Sequence, residues 1–392
     1  MSRVAALGVG AVLVALVACD ETPPPKAPVP PPTAEPVAPL TPPVSPVVPP
    51  VADAGPDAAP FPAPKAEVYP APKPTTIPLS RTGVAALDAK LAEGDVAFAK
   101  EDYATAAQRY SEAARAFPRR VAPLVGLARC DVAKLTPNLD FAAAKGNAKV
   151  RQALATLERM AKAEPDYAPA SAEVGRTLLL LGSAPEAVEP LRRAVQALSG
   201  EPEVHSALGV ALLASGKGEE AVASLRRAVE LDPGSAPRRG NLGTVLFMRG
   251  RVEDAVKEYQ AAVAIEPNDA HGRSDLGTAL LAKNDFPGAM RELEKAVALD
   301  PTRATYRSNL GYALQLEGKL ADAEKSYREA IRLDDKLASA WINLATVLAK
   351  DPKRRKEARS ALEKARALDP QDPRVTANLE ELDALEKGVK MP

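Results

Sequence analysis

Residues able to do covalent or metal chemistry are scarce in this chain. Its 392 residues include two Cys and two His, too few for a disulfide framework or a Cys/His zinc site. Cys130 lies in an apolar helical pattern and reads as a small buried hydrophobe; a reactive thiol would need an accessible, electropositive setting. His205 and His271 have no Cys or second His nearby in sequence, so each reads as a surface or interface residue. Two stretches, Gly209-x6-Gly216-Lys217 and Gly311-x6-Gly318-Lys319, faintly imitate a phosphate loop. That loop needs four residues between its glycines and Ser or Thr after the lysine, and both stretches lack them. Lys353-Arg354-Arg355-Lys356 is a basic run, but Asp351 and Glu357 flank it, which reads as a solvated loop and not a nucleic-acid patch. Lys+Arg and Asp+Glu are 51 each, and a zero net charge argues against a basic nucleic-acid-binding surface. The expectation is a non-enzymatic chain without catalytic residues, metal or cofactor.

The second cysteine has a different setting. Arg3 is followed by an uncharged run over 4–18 that ends in Leu16-Val17-Ala18-Cys19. Such a run is shorter than the roughly 20 residues of a membrane span and has the anatomy of a secretory signal. The break resembles the lipobox of bacterial lipoproteins. The resemblance implies that residues 1–18 are removed and that Cys19 is lipidated, anchoring the chain to a membrane of the cell envelope. Which membrane stays open. Residues 22–78 then hold 22 of the chain's 39 Pro, with few charges and little Gly. Such a composition is expected to be disordered and biased to polyproline II, so 19–80 reads as a tether. At about 3.1 Å per residue it could reach on the order of 180 Å. A spacer that lifts the rest of the chain off the membrane is one use; a ligand track for proline-binding modules is the other.

From residue 87 the sequence repeats. Leu208-Gly209, Leu242-Gly243, Leu276-Gly277 and Leu310-Gly311 are spaced by 34 residues. Ala221, Ala255, Ala289 and Ala323 follow in register, then Ala228, Ala262, Ala296 and Ala330, with Leu225, Tyr259, Leu293 and Tyr327 between them. Pro233, Pro267 and Pro301 close three of the units, and Asp335 replaces Pro in the fourth. Small residues at two fixed places let two helices approach closely, and the large ones fill the space beside them. The apolar content (46%, with only 4% aromatic) is mostly Ala, Leu and Val, which suits helices.

This pattern resembles the tetratricopeptide repeat. The resemblance implies an all-α, right-handed superhelical solenoid of two-helix units. Eight units are expected over 81–388, near 87–120, 121–167, 168–201, 202–235, 236–269, 270–303, 304–337 and 338–372. The second carries about 13 extra residues around 135–149, and the last carries one near Pro352. Residues 373–388 place Val375, Leu379, Leu382 and Leu385 on one face, as a capping helix requires.

In this family the first helix of each unit lines a concave groove. Counting from the start of each unit, position 6 carries Asn241, Asp275, Asn309 and Asn343, and position 9 carries Thr244, Thr278, Tyr312 and Thr346. Amides there could hydrogen-bond a peptide backbone whatever its sequence, or bond a neighbouring helix instead. The former use is similar to the asparagine ladder of O-linked N-acetylglucosamine transferases. Position 4 carries Arg239, Arg273 and Arg307. These either fork onto an acidic or C-terminal carboxylate or pack their stems across the repeat joint. The resemblance implies a scaffold that binds a protein or peptide partner in the groove, anchored at the bacterial envelope (periplasmic or surface-exposed), in an assembly or pilotin-like role. The alternatives are a substrate-presenting arm of a transferase or cell-wall synthase complex, or a cell-wall glycan contact.

Overall fold

The computed structural model describes residues 77–135 and 146–387. The signal-like run, Cys19, the tether up to residue 76 and most of the insertion in the second unit lie outside the described residues.

Seventeen α-helices and one short 3-10 turn, with no strand, make up the described residues. They pair along the chain. The first four pairs are α1 (Ala85–Ala99) with α2 (Tyr103–Ala116), α3 (Ala122–Leu135) with α4 (Ala148–Ala163), α5 (Ala168–Leu180) with α6 (Ala184–Ala197), and α7 (Pro202–Ala214) with α8 (Gly218–Leu231). The next four are α9 (Ala236–Met248) with α10 (Val252–Ile265), α11 (Ala270–Ala282) with α12 (Phe286–Leu299), α13 (Ala304–Leu316) with α14 (Leu320–Leu333), and α15 (Ala338–Ala349) with α16 (Arg355–Leu368). The closing helix is α17 (Pro373–Lys387). Each odd-numbered helix packs on its own even-numbered partner and on the odd-numbered helix of the next unit, which sets the odd-numbered helices on the inner side of the stack.

The repeat's residue pattern dictates this packing. A β-carbon added to Gly209 would sit 2.5 Å from Leu225, one at Gly243 2.8 Å from Tyr259, one at Gly277 2.6 Å from Leu293 and one at Gly311 2.7 Å from Tyr327. Glycine at the crossing therefore makes room for the bulky residue of the second helix. The turn between the paired helices needs a left-handed residue, supplied by Gly182, Gly216, Gly250 and Gly318 at φ of 72 to 76°. Asn284 and Glu101 take the same conformation in two units that lack the glycine. The backbone closes each such turn with paired bonds, as in Lys217 N–H to Leu212 C=O at 2.8 Å and Gly216 N–H to Leu213 C=O at 2.9 Å. The second helices end just before Pro233, Pro267 and Pro301.

Two expectations need correction. The tether does not run free to residue 80: Ile77 and Leu79 are 1% and 0% exposed and belong to the main core. The capping face is narrower than the sequence pattern suggests. Val375 and Leu382 are buried and Leu379 packs beside them, but Leu385, in the last turn, is 37% exposed. The extra residue near Pro352 forms the 3-10 turn Pro352–Arg354 ahead of α16.

Candidate functional site

The position-9 threonines sit on the inner helices. Each donates its hydroxyl to the carbonyl four residues back: Thr244 to Gly240 at 3.0 Å, Thr278 to Ser274 at 2.9 Å and Thr346 to Ile342 at 3.1 Å. This is the usual way a helix absorbs a hydroxyl, and it leaves the oxygen able to accept. The next unit uses that capacity. The Asn309 amide donates to Thr278 Oγ1 at 3.4 Å, and Asn378 of the closing helix donates to Thr346 Oγ1 at 3.4 Å. Asn241 reaches Ser206 Oγ at 3.4 Å in the same direction. The amides thus tie one inner helix to the one before it. Asn241 is 0% exposed and Asn343 is buried too, so neither belongs to an exposed ladder. Thr244 is also buried and accepts from the Tyr259 hydroxyl at 3.0 Å. Tyr312 is buried, and burial pushes its hydroxyl up to about 12. Asp275, Thr278, Asn309 and Thr346 are half-buried and so remain partly open to solvent on the inner helices.

The position-4 arginines face the other way. Arg273 lines a cleft with Gln260 and Val263 of α10 and with Arg291 and Lys295 of α12, on the side of the second helices. Its Nε donates to the Pro267 carbonyl at 2.7 Å and its Nη1 meets Glu292 at 2.5 Å. Burial alone would raise Glu292, but hydrogen bonds from Lys295 and Arg273 outweigh it and hold the carboxyl below its ordinary value. Arg239 repeats the arrangement with Pro233 at 2.9 Å and Glu258 at 2.9 Å. Arg307 keeps the bond to Pro301 at 3.4 Å. In the last unit the Trp341 indole N–H takes this place, donating to the Asp335 carbonyl at 2.9 Å. The arginines are therefore joint fasteners between units, not a fork in the inner groove. The basic run behaves similarly. Arg354 is held by Glu324 of the preceding unit at 2.6 and 2.7 Å, so this arginine ties two units, while Lys353 and Lys356 of the same run are exposed, as in a solvated loop.

Five residues that sequence reasoning missed lie at the other end of the same inner face, joined there by Arg238, which the sequence groups with the position-4 arginines. Asp95 on α1, Arg129 on α3, Glu173 and Arg176 on α5, Glu203 on α7 and Arg238 on α9 form an alternating chain of charges. The steps are 2.6 Å (Arg129–Asp95), 4.0 Å (Arg129–Glu173), 3.9 Å (Arg176–Glu173), 3.3 Å (Arg176–Glu203) and 3.2 Å (Arg238–Glu203). Arg129 has a 2% exposed side chain that stacks 4.2 Å over the Phe98 ring and bonds the Tyr110 hydroxyl. Glu173 is pushed up by burial, against the pull of Arg176 and Arg129, and its Oε1 has no hydrogen-bond partner among the described residues. Asp95, Arg129 and Arg176 occupy the position that carries Thr or Tyr in the later units; that contrast is the signal in the sequence.

Neither histidine joins a ligand set. His205 Nε2 lies 3.0 Å from the Ser199 carbonyl, and His271 lies 3.5 Å from Asp275. Cys130 is buried, and desolvation pushes its thiol up to about 12, far from a reactive thiolate. No helix among the described residues is long and apolar enough to cross a membrane.

One tetratricopeptide-repeat family model matches residues 212–274 and 246–311, and a second matches 142–202 and 317–373. Together they cover more than half of the chain. No curated protein is significantly similar in sequence. Among solved structures, the APC/C hetero-tetramer Cut9-Hcn1 aligns over 78% of this chain at 16% identity with a TM-score of 0.54, and this chain spans 57% of that one. PilF of Pseudomonas aeruginosa aligns over 55% of this chain and 97% of its own at 21% identity and a TM-score of 0.47. YrrB, a TPR protein with an unusual peptide-binding site, aligns over 48% of this chain and 97% of its own at 22% identity and a TM-score of 0.40. At such identities the likeness concerns the fold alone.

Proposed function

From a chain that belongs to the tetratricopeptide-repeat family, we infer a non-enzymatic scaffold that holds a protein or peptide partner along the inner face of α11, α13 and α15. One observation carries this reading. Asp275, Thr278, Asn309 and Thr346 are half-buried in register on successive inner helices, with hydroxyl, amide and carboxylate groups directed along the same surface. A polypeptide backbone needs both donors and acceptors; with the threonine protons already given to helix carbonyls, the second N–H of the Asn309 amide is the donor, and the Asp275 and Asn309 oxygens are the acceptors. The arginine cleft on the opposite side is occupied by its own glutamates, so the polar inner row is the better-suited surface.

The finer proposal is that the array works at a bacterial cell envelope, tethered through lipidated Cys19, in an assembly or pilotin-like role. It is supported by the Leu16-Val17-Ala18-Cys19 sequence and the proline-rich stretch after it. Each buried acyl CH₂ contributes about 0.8 kcal/mol, so two or more chains hold a soluble array firmly. The test is capture of partners from solubilised membranes by the wild-type chain and by Thr278→Arg/Thr346→Arg. The expected result is a partner retained by the wild type and lost from the double variant, with Arg307→Gln on the opposite side retaining it. Retention by the inner-face variant would overturn the reading.

A further inference from the structure

The N-terminal part of the inner face already holds a short peptide segment that bends at Leu79, and that segment is the chain's own. Ile77-Pro78-Leu79-Ser80 lies across α1 and α3 and the start of α5. Its recognition is the kind a peptide site uses: side chains reading main-chain atoms. Leu79 N–H donates to Asp95 Oδ2 at 2.8 Å, and Ser80 N–H donates to the same oxygen at 3.0 Å. The Ile77 carbonyl accepts from Arg129 Nη1 at 2.7 Å, and the Leu79 carbonyl accepts from the Tyr167 hydroxyl at 2.7 Å. Pro78, which has no N–H to satisfy, stands between them, and the chain bends at Leu79 so that the successive Leu79 and Ser80 N–H groups converge on one carboxylate oxygen. The side chains of Ile77 and Leu79, two residues apart, are sealed in the core.

The segment also completes the charged site. A buried Arg–Asp pair is tolerated only when its remaining hydrogen-bonding capacity is met. Here Asp95 receives two backbone N–H groups and Arg129 gives one N–H to a backbone carbonyl. Within 22–79, Ile77-Pro78-Leu79 is the one proline flanked on both sides by large apolar residues. The site thus selects one triplet from a stretch crowded with prolines.

We propose that the inner face over α1, α3 and α5 is a second peptide-binding site, selective for a segment with large apolar residues on both sides of a proline, and held shut in cis by residues 77–80. A partner bearing such a segment in a flexible tail enters by displacing the resident one. Residues 81–84 join the plug directly to α1, so the resident segment competes at a high effective concentration, and the site is closed to weak ligands. This site is independent of the row on α11, α13 and α15; either could fail without the other.

The test uses the full-length chain and a fluorescent peptide reproducing residues 74–82. Wild type is expected to bind it at least tenfold more weakly than Ile77→Asp/Leu79→Asp, in which the plug is expelled. Adding Asp95→Asn to the expelled variant should abolish binding, and a peptide with Asp at both apolar positions should not bind. A helical expelled variant that ignores the peptide, or takes both peptides equally, overturns the proposal. Should the expelled variant lose its helical circular dichroism, hydrogen exchange on the wild type decides. Leu79 and Ser80 amides exchanging well before those of α3 support a detachable plug. Protection equal to that of α3 makes the segment a fixed part of the core and overturns it.

Discussion

Arg129 and Glu173 are both buried, yet removing their charges should have opposite consequences. Arg129→Ala leaves the Asp95 carboxylate without its counter-charge and removes the Arg129 N–H from the Ile77 carbonyl, and breaking a buried pair from one side costs about 3–5 kcal/mol. Faster amide exchange in α1 and α3 is the expected readout; unchanged protection would contradict it. Glu173 is held above its ordinary value, so the folded state binds a proton more readily than the unfolded one, and its charge subtracts stability as pH rises past the carboxylate range. Glu173→Gln keeps the shape and removes that charge. It should hold or raise the melting temperature at pH 7, and a drop of several degrees would refute the assignment. Neither residue could be placed from the sequence, because position within a repeat says which face a side chain occupies but not which neighbour it meets. The same gap hid the burial of Asn241 and the direction of Arg239 and Arg273. Ile77 and Leu79 were hidden for another reason. Proline-rich composition argues against burial, and the contacts that overrule it come from Arg129 and Tyr167, 52 and 88 residues away along the chain.

Between elements, small-against-large complementarity was legible because both its period and its residue sizes are local features of sequence. Gly311→Val drives a branched side chain into Tyr327, which is fully buried and bonded to Gln315 at 2.9 Å. Overpacking of this kind costs about 1–3 kcal/mol, read as a lower melting temperature of α13–α14 and their neighbours. Ala345 at the equivalent place in the last unit marks the size limit. The ties between units are a second device. Hydrogen bonds from Arg354 and then Arg328 hold the Glu324 carboxyl at about 2. A depressed folded value means the contribution is complete above the ordinary glutamate range and is lost as pH falls from about 4.5 toward 2. Acid should therefore loosen the joint between α14 and α16. Limited proteolysis across this window should show earlier cutting there in the wild type, and a flatter acid dependence in Glu324→Gln. Identical acid profiles would remove this joint from the account.

For the molecule as a whole, the stack has one inner surface with two kinds of lining: a chain of alternating charges that begins under residues 77–80, and a half-buried polar row with the single carboxylate of Asp275 toward the C-terminal end. On the anchoring proposal, the proline-rich sequence before residue 77 is the spacer between Cys19 and the stack. Cys19→Ser should move the chain from the membrane fraction to the soluble one, and continued retention would sever the anchoring proposal from the binding one. The central claim, that the inner face is the working surface, is tested most directly by photo-crosslinking in cells. A photoreactive residue is placed singly at Thr278, at Thr346 and, on the opposite side, at Arg291. Adducts to one shared partner from Thr278 and Thr346, with none from Arg291, are the predicted result; adducts confined to Arg291 would contradict it.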